Sequence, residues 1–438
     1  MRIVLDVENS TTERNGKKHM DPFEINNHLV QVGMVNADNH DELHIVNIDH
    51  DESKDVSGAG HKLVQDVLDL TTLLIMHNAQ HDMMWLWESG FKYDGLIYDT
   101  MLAEYILDRG QRNPLSLGAC AERRKLEVQK DDTLKRYFKE GYNTNEIPLD
   151  ELSFYLRCDL LSTSWLFHSI EADYAEPESR GLRVIRDTTF TTCKTLTRMY
   201  MSGIRVDRSA LEEVRVEFEQ EKAEIEDRLQ KKIRKLMGDT PINLNSPEQM
   251  SQVVFSLRMN NKKEWADLFE FTSTVDEYKD AVRANSTPVY RTKAFTCPTC
   301  EGQGKTFKTK KDGTKYARPN KCTDCNTRGF QLTETKQIAG LRFTAPNKGW
   351  ISANGFSTGK DNLEVLAATA RSNNMAEAES FLIDQRRLSA ISSYLSSFVE
   401  GISNYTKHDG FLHVSLTQHI TATGRFSGRN PNMQNMPR

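Results

Sequence analysis

The sequence predicts an α/β domain followed by a mainly helical region that carries a small metal-binding insertion. Three observations lead there. Residues 1 to about 187 alternate strand-like apolar runs with helical stretches. From Ser209 to Met237 no Gly or Pro interrupts a charged, amphipathic helical pattern. Two Cys-x-x-Cys pairs, Cys297/Cys300 and Cys322/Cys325, stand in a polar stretch from about 259 to 340. The bulk numbers agree with such a chain: 438 residues suffice for two or three domains, and 27% charged with 38% hydrophobic residues is ordinary for a globular protein. A net charge of −5 excludes a basic, coat-like nucleic-acid binder, but not an enzyme that grips phosphates locally with cations and metal ions. With no apolar run of eighteen residues, and with Met1-Arg-Ile-Val-Leu-Asp6 entering a strand pattern directly, neither a membrane span nor a signal peptide is expected, and a cytoplasmic location is.

The first region reads as strands at Ile3-Val4-Leu5, Leu29 to Val35, His44 to Ile48 and Leu73 to Met76, with helices at Met83 to Glu88 and Asp99 to Leu107. In the long helix Leu211, Val214, Phe218, Ile225, Leu229, Ile233 and Leu236 recur at a spacing of three to four, which predicts one packed face. Ser246 is placed to cap a second helix with Pro247 at its first position. Helical periodicity returns from Asn362 to Tyr405, so the cysteine-bearing stretch reads as an insertion between helices. Cys120, Cys158 and Cys193 follow no ligand spacing and are expected as buried thiols.

Asp6-Val7-Glu8 ends the first strand, and a strand turns residues i and i+2 to one face, so two carboxylates point together. Alone this is weak, since such a triplet arises by chance about once per few hundred residues. His77-Asn78-Ala79-Gln80-His81-Asp82 then follows an apolar run, placing Asp82 at the start of a helix. In Tyr155-Leu156-Arg157-Cys158-Asp159 a four-residue spacing stacks Tyr155 and Asp159 on one helical face. Together, and in this order, the three pieces resemble the D-x-E, N-x-x-x-D and Y-x-x-x-D motifs of the tyrosine subclass of DEDD exonucleases, as found in the proofreading domain of family A DNA polymerases. The resemblance implies an RNase H-like fold and 3′→5′ hydrolysis of DNA, with two Mg²⁺ or Mn²⁺ ions per site. It implies that Asp6, Glu8 and Asp159 hold one ion, that Asp6 also reaches the second, that Asp82 acts on the second through its water shell, and that Tyr155 orients the attacking water. Hard oxygen ligands suit such ions. Asn9 and His81 depart from the family, which often has a Thr and an aromatic there; Asn78 is expected to touch DNA.

Further along, Tyr200-Met-Ser-Gly-Ile-Arg-Val-Asp207 resembles the family A opening into the thumb, and Asn243-Leu-Asn-Ser-Pro-Glu-Gln249 its thumb signature. Thr421-Ala-Thr-Gly-Arg-Phe-Ser-Gly-Arg-Asn-Pro-Asn-Met-Gln-Asn-Met-Pro-Arg438 resembles the primer-template-binding segment of that family. Arg425, Asn432, Gln434, Asn435 and Arg438 are the candidate DNA contacts there, being types that bond phosphate, sugar and minor-groove acceptors without reading sequence. The palm aspartates, the lysine-bearing fingers helix and the His-Asp-Glu turn of the family are not found in these residues. The pattern is most similar to split phage polymerases, which implies a second polypeptide carrying palm and fingers, and the host cytoplasm if the chain is phage-encoded.

Four thiolates in two Cys-x-x-Cys knuckles are the ligand set of a structural Zn²⁺. The first knuckle, with Gly302 and Gly304, resembles the C-x-x-C-x-G-x-G repeat of DnaJ-type chaperones, from which the second departs. Lys305 to Lys321 holds seven cations and one anion, with Phe307 and Tyr316 interleaved. Such a loop suits DNA phosphates and bases, and a solvated hairpin closed by zinc accounts for the same composition.

The sequence is therefore read as an RNase H-like exonuclease domain (1–187), the start of a polymerase domain with thumb helices (188–258), a zinc-ribbon-like insertion with four cysteine ligands (259–340), and the thumb return with part of the palm (341–438). The expected function is the proofreading and DNA-gripping subunit of a split family A DNA polymerase, acting on primer-template and single-stranded 3′ ends, with no membrane partner. Two alternatives are a stand-alone 3′→5′ exonuclease with a vestigial polymerase segment, and a non-catalytic DNA-binding assembly subunit.

Overall fold

The computed structural model describes residues 1–14, 16–126, 133–237, 242–256, 294–310, 313–332, 340–352 and 355–436. Arg438 lies outside the described residues, as does the stretch 259–293 of the insertion. Two compact units are formed, one by residues 1–211 with 397–438, the other by 212–396.

The first unit is built on a five-stranded mixed sheet, in the order Asn39–Asn47, Leu29–Asn36, Arg2–Asn9, Leu73–Met76, Leu96–Asp99. The first three strands pair antiparallel and the last two join in parallel, so the parallel strands need helical crossovers, one of which is Ala79–Glu88. Ile3, Val4, Leu5 and Val7 are all buried in the central strand, as expected of a strand covered on both faces. Only toward the strand's end does the apolar run give way to Asp6 and Glu8.

One helix, Leu149–Ala175, lies against the sheet, and its approach depends on a glycine. Gly33 sits opposite Asp6 in the sheet. A Cβ there would stand 2.7 Å from Leu160 Cδ1 and 2.8 Å from Leu156 Cγ, distances no real methyl tolerates. Leu156 and Leu160 each follow a site candidate by one residue, so the absent side chain lets Tyr155 and Asp159 come down beside Asp6.

Residues 397–438 return to this unit. Phe411–Leu412 pairs antiparallel with Ile204–Arg205, and Ser415–Thr417 with Ser427–Arg429. Lys407 is only 4% exposed, and its ammonium is held by Asp21 at 2.8 Å and Glu24 at 2.5 Å. A buried cation requires such partners. His413 stacks on Phe23 at 3.7 Å between ring centroids and donates from Nδ1 to the Tyr200 carbonyl at 2.6 Å.

In the second unit, Ile225, Leu229, Ile233 and Met237 of the helix Arg208–Met237 pack in one core with Phe381, Leu382, Leu388 and Ile391 of the helix Ala376–Ser393. Arg387 forms a bidentate pair with Glu221, both contacts at 2.7 Å, and Arg228 and Lys232 share Asp384. The apolar stripe read from the sequence is thus buried in its C-terminal half, whereas Val214 is 39% exposed. Ser246 caps Pro247–Phe255 by accepting from the Gln249 amide at 3.3 Å, with Pro247 at the first position.

Candidate functional site

The carboxylate cluster is assembled from three elements of the first unit. Asp6 and Glu8 come from the strand Arg2–Asn9, whose pairing with Leu29–Asn36 is irregular between Glu8 and Asn9. Asp82 lies in the first turn of Ala79–Glu88, where the helix N-terminus favours negative charge. Tyr155 and Asp159 are one turn apart in Leu149–Ala175.

Electrostatics show how close these groups are. Burial pushes Asp6 up to about 8, and the charge of Asp159 adds to the effect. Glu8 is driven well above the usual carboxylate range by burial, then by Asp6 and Asp159. Asp82 is raised by burial, and then by Asp6, Asp99 and Glu8. Asp159 is raised by burial to about 6, held back by the Tyr155 hydroxyl that faces it. Tyr155 is itself raised by burial and by Asp159. Acids brought together by the fold raise one another's pKa, and oxygen ligands of this kind suit hard divalent ions. An orphaned atom agrees: Asp82 Oδ2 is buried with no hydrogen-bond partner. Among the described residues no three of these carboxylates have ligand oxygens within 4.8 Å of one another, so they stand more widely spread than three ligands on one ion, unlike the cysteines described below.

Residues that the sequence left unassigned hold this cluster in place. Asp99 accepts from the amides of Ala79 at 2.8 Å and Asn78 at 3.3 Å, fixing the turn before Asp82, and from Met101 and Leu102 at the next helix N-terminus. Burial raises it to about 6, against those amide hydrogen bonds. Asn78 adopts a left-handed conformation, φ 75°, at that turn. Two further residues beside the cluster touch each other: His81 Nε2 lies 2.9 Å from Asn9 Oδ1. Burial holds His81 near a pKa of about 4, so the imidazole is neutral and donates to the amide oxygen, while Asn9 Nδ2 donates to the Ser10 carbonyl at 2.8 Å.

Asn78 and Tyr155 also line a cavity of about 1010 Å³, together with Met20, Tyr105, Arg112 and His419. The Tyr105 hydroxyl donates to the Thr421 carbonyl at 2.7 Å, at the start of the C-terminal segment. In that segment Arg425, Asn432, Gln434 and Asn435 are all exposed. The carbonyl ends of two of these side chains shape the turn: Gln434 Oε1 accepts from the Gly428 amide at 2.8 Å, and Asn432 Oδ1 from the Gln434 amide at 3.2 Å.

The cysteines form a second centre. All four Sγ atoms lie within 4.8 Å of one another, with Cys297 to Cys322 at 3.9 Å and Cys300 to Cys325 at 3.6 Å. Zn–S bonds of about 2.3 Å in a tetrahedron place sulfurs about 3.8 Å apart, so the set fits zinc. Amides of Gly304 and Gly329 donate to Cys300 Sγ at 3.2 Å and Cys325 Sγ at 3.3 Å, stabilising thiolates. A third grouping, His19 with Asp21 and Glu24, has ligand types, but its two carboxylates already neutralise Lys407.

Comparison with known proteins places this architecture. Residues 307–438 match the family model of DNA polymerase family A. DNA polymerase I of Chloroflexus aurantiacus is 30% identical over 182 residues, covering 41% of this chain and 18% of that protein. The DNA polymerase of Bacillus phage SP01 is 27% identical over 386 residues, 86% of this chain and 35% of that protein. Residues 307–438 are thus similar to family A DNA polymerases. The chain's fold agrees with a solved polymerase structure, the POL domain of Pol1 from M. smegmatis in complex with DNA primer-template and dNTP, at a TM-score of 0.58 and 19% identity, over 100% of this chain and 53% of that one. The chain spans less than two thirds of the length of these relatives. Among the described residues no helix is long and apolar enough to cross a membrane.

Proposed function

We propose that this chain carries a 3′→5′ DNA exonuclease and part of the primer-template grip of a family A DNA polymerase. The observation that carries the reading is the convergence of Asp6, Glu8, Asp82 and Asp159, all raised in pKa, with the Tyr155 hydroxyl facing Asp159. Asp6, Glu8 and Asp159 would hold one Mg²⁺ or Mn²⁺, with Asp6 and Asp82 serving a second. Such ions supply a hydroxide at neutral pH and relief of charge on the leaving 3′ oxygen. The chain's own part is to position. Tyr155, raised in pKa, keeps its proton and orients a water beside Asp159. Asp99 fixes the turn carrying Asn78, and Asn78 borders the cavity large enough for the end of a strand.

The exposed Arg425, Asn432, Gln434 and Asn435 suit contacts to phosphate and minor-groove acceptors of any duplex; Arg438 belongs to the same assignment. Zn²⁺ on Cys297, Cys300, Cys322 and Cys325 is structural, since four thiolates leave no open position. A second polypeptide carrying palm and fingers belongs to the same proposal.

The test is a labelled primer with a 3′ mismatch on a template, with Mg²⁺ and all four nucleotides. The unaltered chain should shorten it. Asp6→Ala should lose at least about 10³-fold, roughly 4 kcal/mol of barrier, and Tyr155→Phe about 10²-fold. Equal shortening by Asp6→Ala, or none by the unaltered chain, ends the exonuclease reading.

A further inference from the structure

The cysteine centre has an internal two-fold pattern that sets up the loop between its halves. Cys297, Cys300 and Gly304 correspond to Cys322, Cys325 and Gly329. The Cys297 amide donates to the Gly329 carbonyl at 2.9 Å, and the Cys322 amide to the Gly304 carbonyl at 3.0 Å. Gly304 and Gly329 both have positive φ, 67° and 73°, and a Cβ on either would meet a carbonyl of the opposite half at 2.2 Å. The base is therefore tied on both sides. Between Gly304 and Cys322 the described residues 305–310 and 313–321 pair antiparallel, with Lys305 opposite Lys321, Thr306 opposite Asn320, and a bridge from Thr309 to Lys315.

Lys305, Lys308, Lys310, Lys315, Arg318 and Lys321 are all exposed, and among the described residues none pairs with a carboxylate. Two cations directly opposite across a strand pair, Lys305 and Lys321, disfavour each other. A chain of net charge −5 has carboxylates to spare, yet none is set against this hairpin among the described residues. Two aromatics stand exposed among the cations, Phe307 at 37% and Tyr316 at 51%, with Lys310 Nζ 5.6 Å above the Tyr316 ring. An acidic protein surface would satisfy the charge but not explain rings left in water. A nucleic acid satisfies both, through phosphates and base faces.

We propose that the hairpin Lys305–Lys321 is a DNA grip anchored on the cysteine centre. Its cations neutralise backbone phosphates, and Phe307 and Tyr316 lie against the bases of a single-stranded portion. This contact is independent of the carboxylate chemistry and of the C-terminal segment.

The experiment uses the full zinc-loaded chain, Ca²⁺ in place of Mg²⁺ to stop hydrolysis, and fluorescein-labelled oligo(dT) and duplex probes titrated by anisotropy between about 50 and 200 mM salt. The triple variant Lys308→Gln, Lys310→Gln, Lys315→Gln should flatten the plot of log affinity against log salt by about 2 to 3 on either probe. Arg318→Glu, on the returning strand, should flatten it by about 1 and guards against a folding defect in the triple variant. Phe307→Ala with Tyr316→Ala should weaken oligo(dT) binding about ten-fold or more with the slope kept, and duplex binding less. An unchanged salt slope in variants that still hold zinc, as an acidic protein ligand would give, overturns the proposal. An equal loss on both probes from the aromatic pair overturns the base contact.

Discussion

At the scale of single residues, the contact between His81 and Asn9 ties the first turn of Ala79–Glu88 to the end of the strand Arg2–Asn9. The neutral imidazole donates to the Asn9 oxygen at 2.9 Å inside a buried setting. Removing one partner leaves a buried polar group unsatisfied, at a cost of about 1–3 kcal/mol. Asn9→Ala should therefore destabilise the fold by that amount, and so should His81→Ala. The double variant should cost less than the two together, by about 0.5–3 kcal/mol. Urea unfolding of the four proteins measures the cycle, and strict additivity would show that the contact is not made in solution. This pair also marks a limit of sequence reading. Asp6 with Glu8, and Tyr155 with Asp159, were legible because strand and helix periodicities of about 2 and 3.6 put them on shared faces. Cys297 and Cys300 were legible because metal ligation fixes local spacing. Asn9 and His81 are 72 residues apart, and no local period connects them. Lys407 with Asp21, 386 residues apart, was invisible for the same reason.

At the scale of elements, what positions the site is a residue with no side chain. Gly33 lets Leu149–Ala175 approach the sheet, and that helix brings Tyr155 and Asp159 to the strand carrying Asp6 and Glu8. Gly33→Ala should lift the helix by a few tenths of an ångström or more, because both clashing atoms belong to buried, well-packed leucines. Overpacking of this kind costs about 1–3 kcal/mol. The rate of strand shortening should fall further than stability alone explains, since small misplacements of reacting groups cost up to about 10²-fold. Thermal unfolding and the mismatch assay on the same preparation separate the two effects. A variant with lowered stability and full activity would show that the helix does not set the geometry. Strands and helices were largely readable from apolar periodicity; the closeness of their packing was not, because Gly33 reads in sequence as one residue in an apolar run. The half-buried long helix makes a related point. Its stripe is continuous from Leu211 to Leu236, but burial depends on the partner helix Ala376–Ser393, which meets the C-terminal half.

At the scale of the whole molecule, the oxygen and sulfur centres lie in different units and should respond to different reagents. A thiol-selective zinc chelator should disturb the cysteine centre and leave Mg²⁺-dependent shortening of a short oligonucleotide intact; loss of both together would mean that the units do not fold separately. The oxygen centre should also make the stability of the divalent-free protein depend on pH. In the unfolded chain an aspartate titrates near about 3.9, whereas in the fold Asp6 is pushed to about 8 and Glu8 and Asp82 are raised well above their usual range. Between those values the folded state holds protons that the unfolded state has released, so stability falls as pH rises, by up to about 1.4 kcal/mol per unit for each group. His77 and His81, lowered by burial to about 4, act in the opposite sense below about 6.5, where unfolded imidazoles take up protons that the buried ones refuse. The clean window for the carboxylates is therefore from about 6.5 to 8. Over that range the unfolding temperature of the zinc-loaded, Mg²⁺-free protein should drop by several degrees. Asp6→Asn should flatten the drop, because the amide has no proton to lose. Mn²⁺ should raise the transition more at about pH 8 than at about pH 6.5, since ions bind the deprotonated acids. A transition that is level with pH without metal and equally raised by Mn²⁺ at both pH values would mean that the four acids are not gathered as the fold places them.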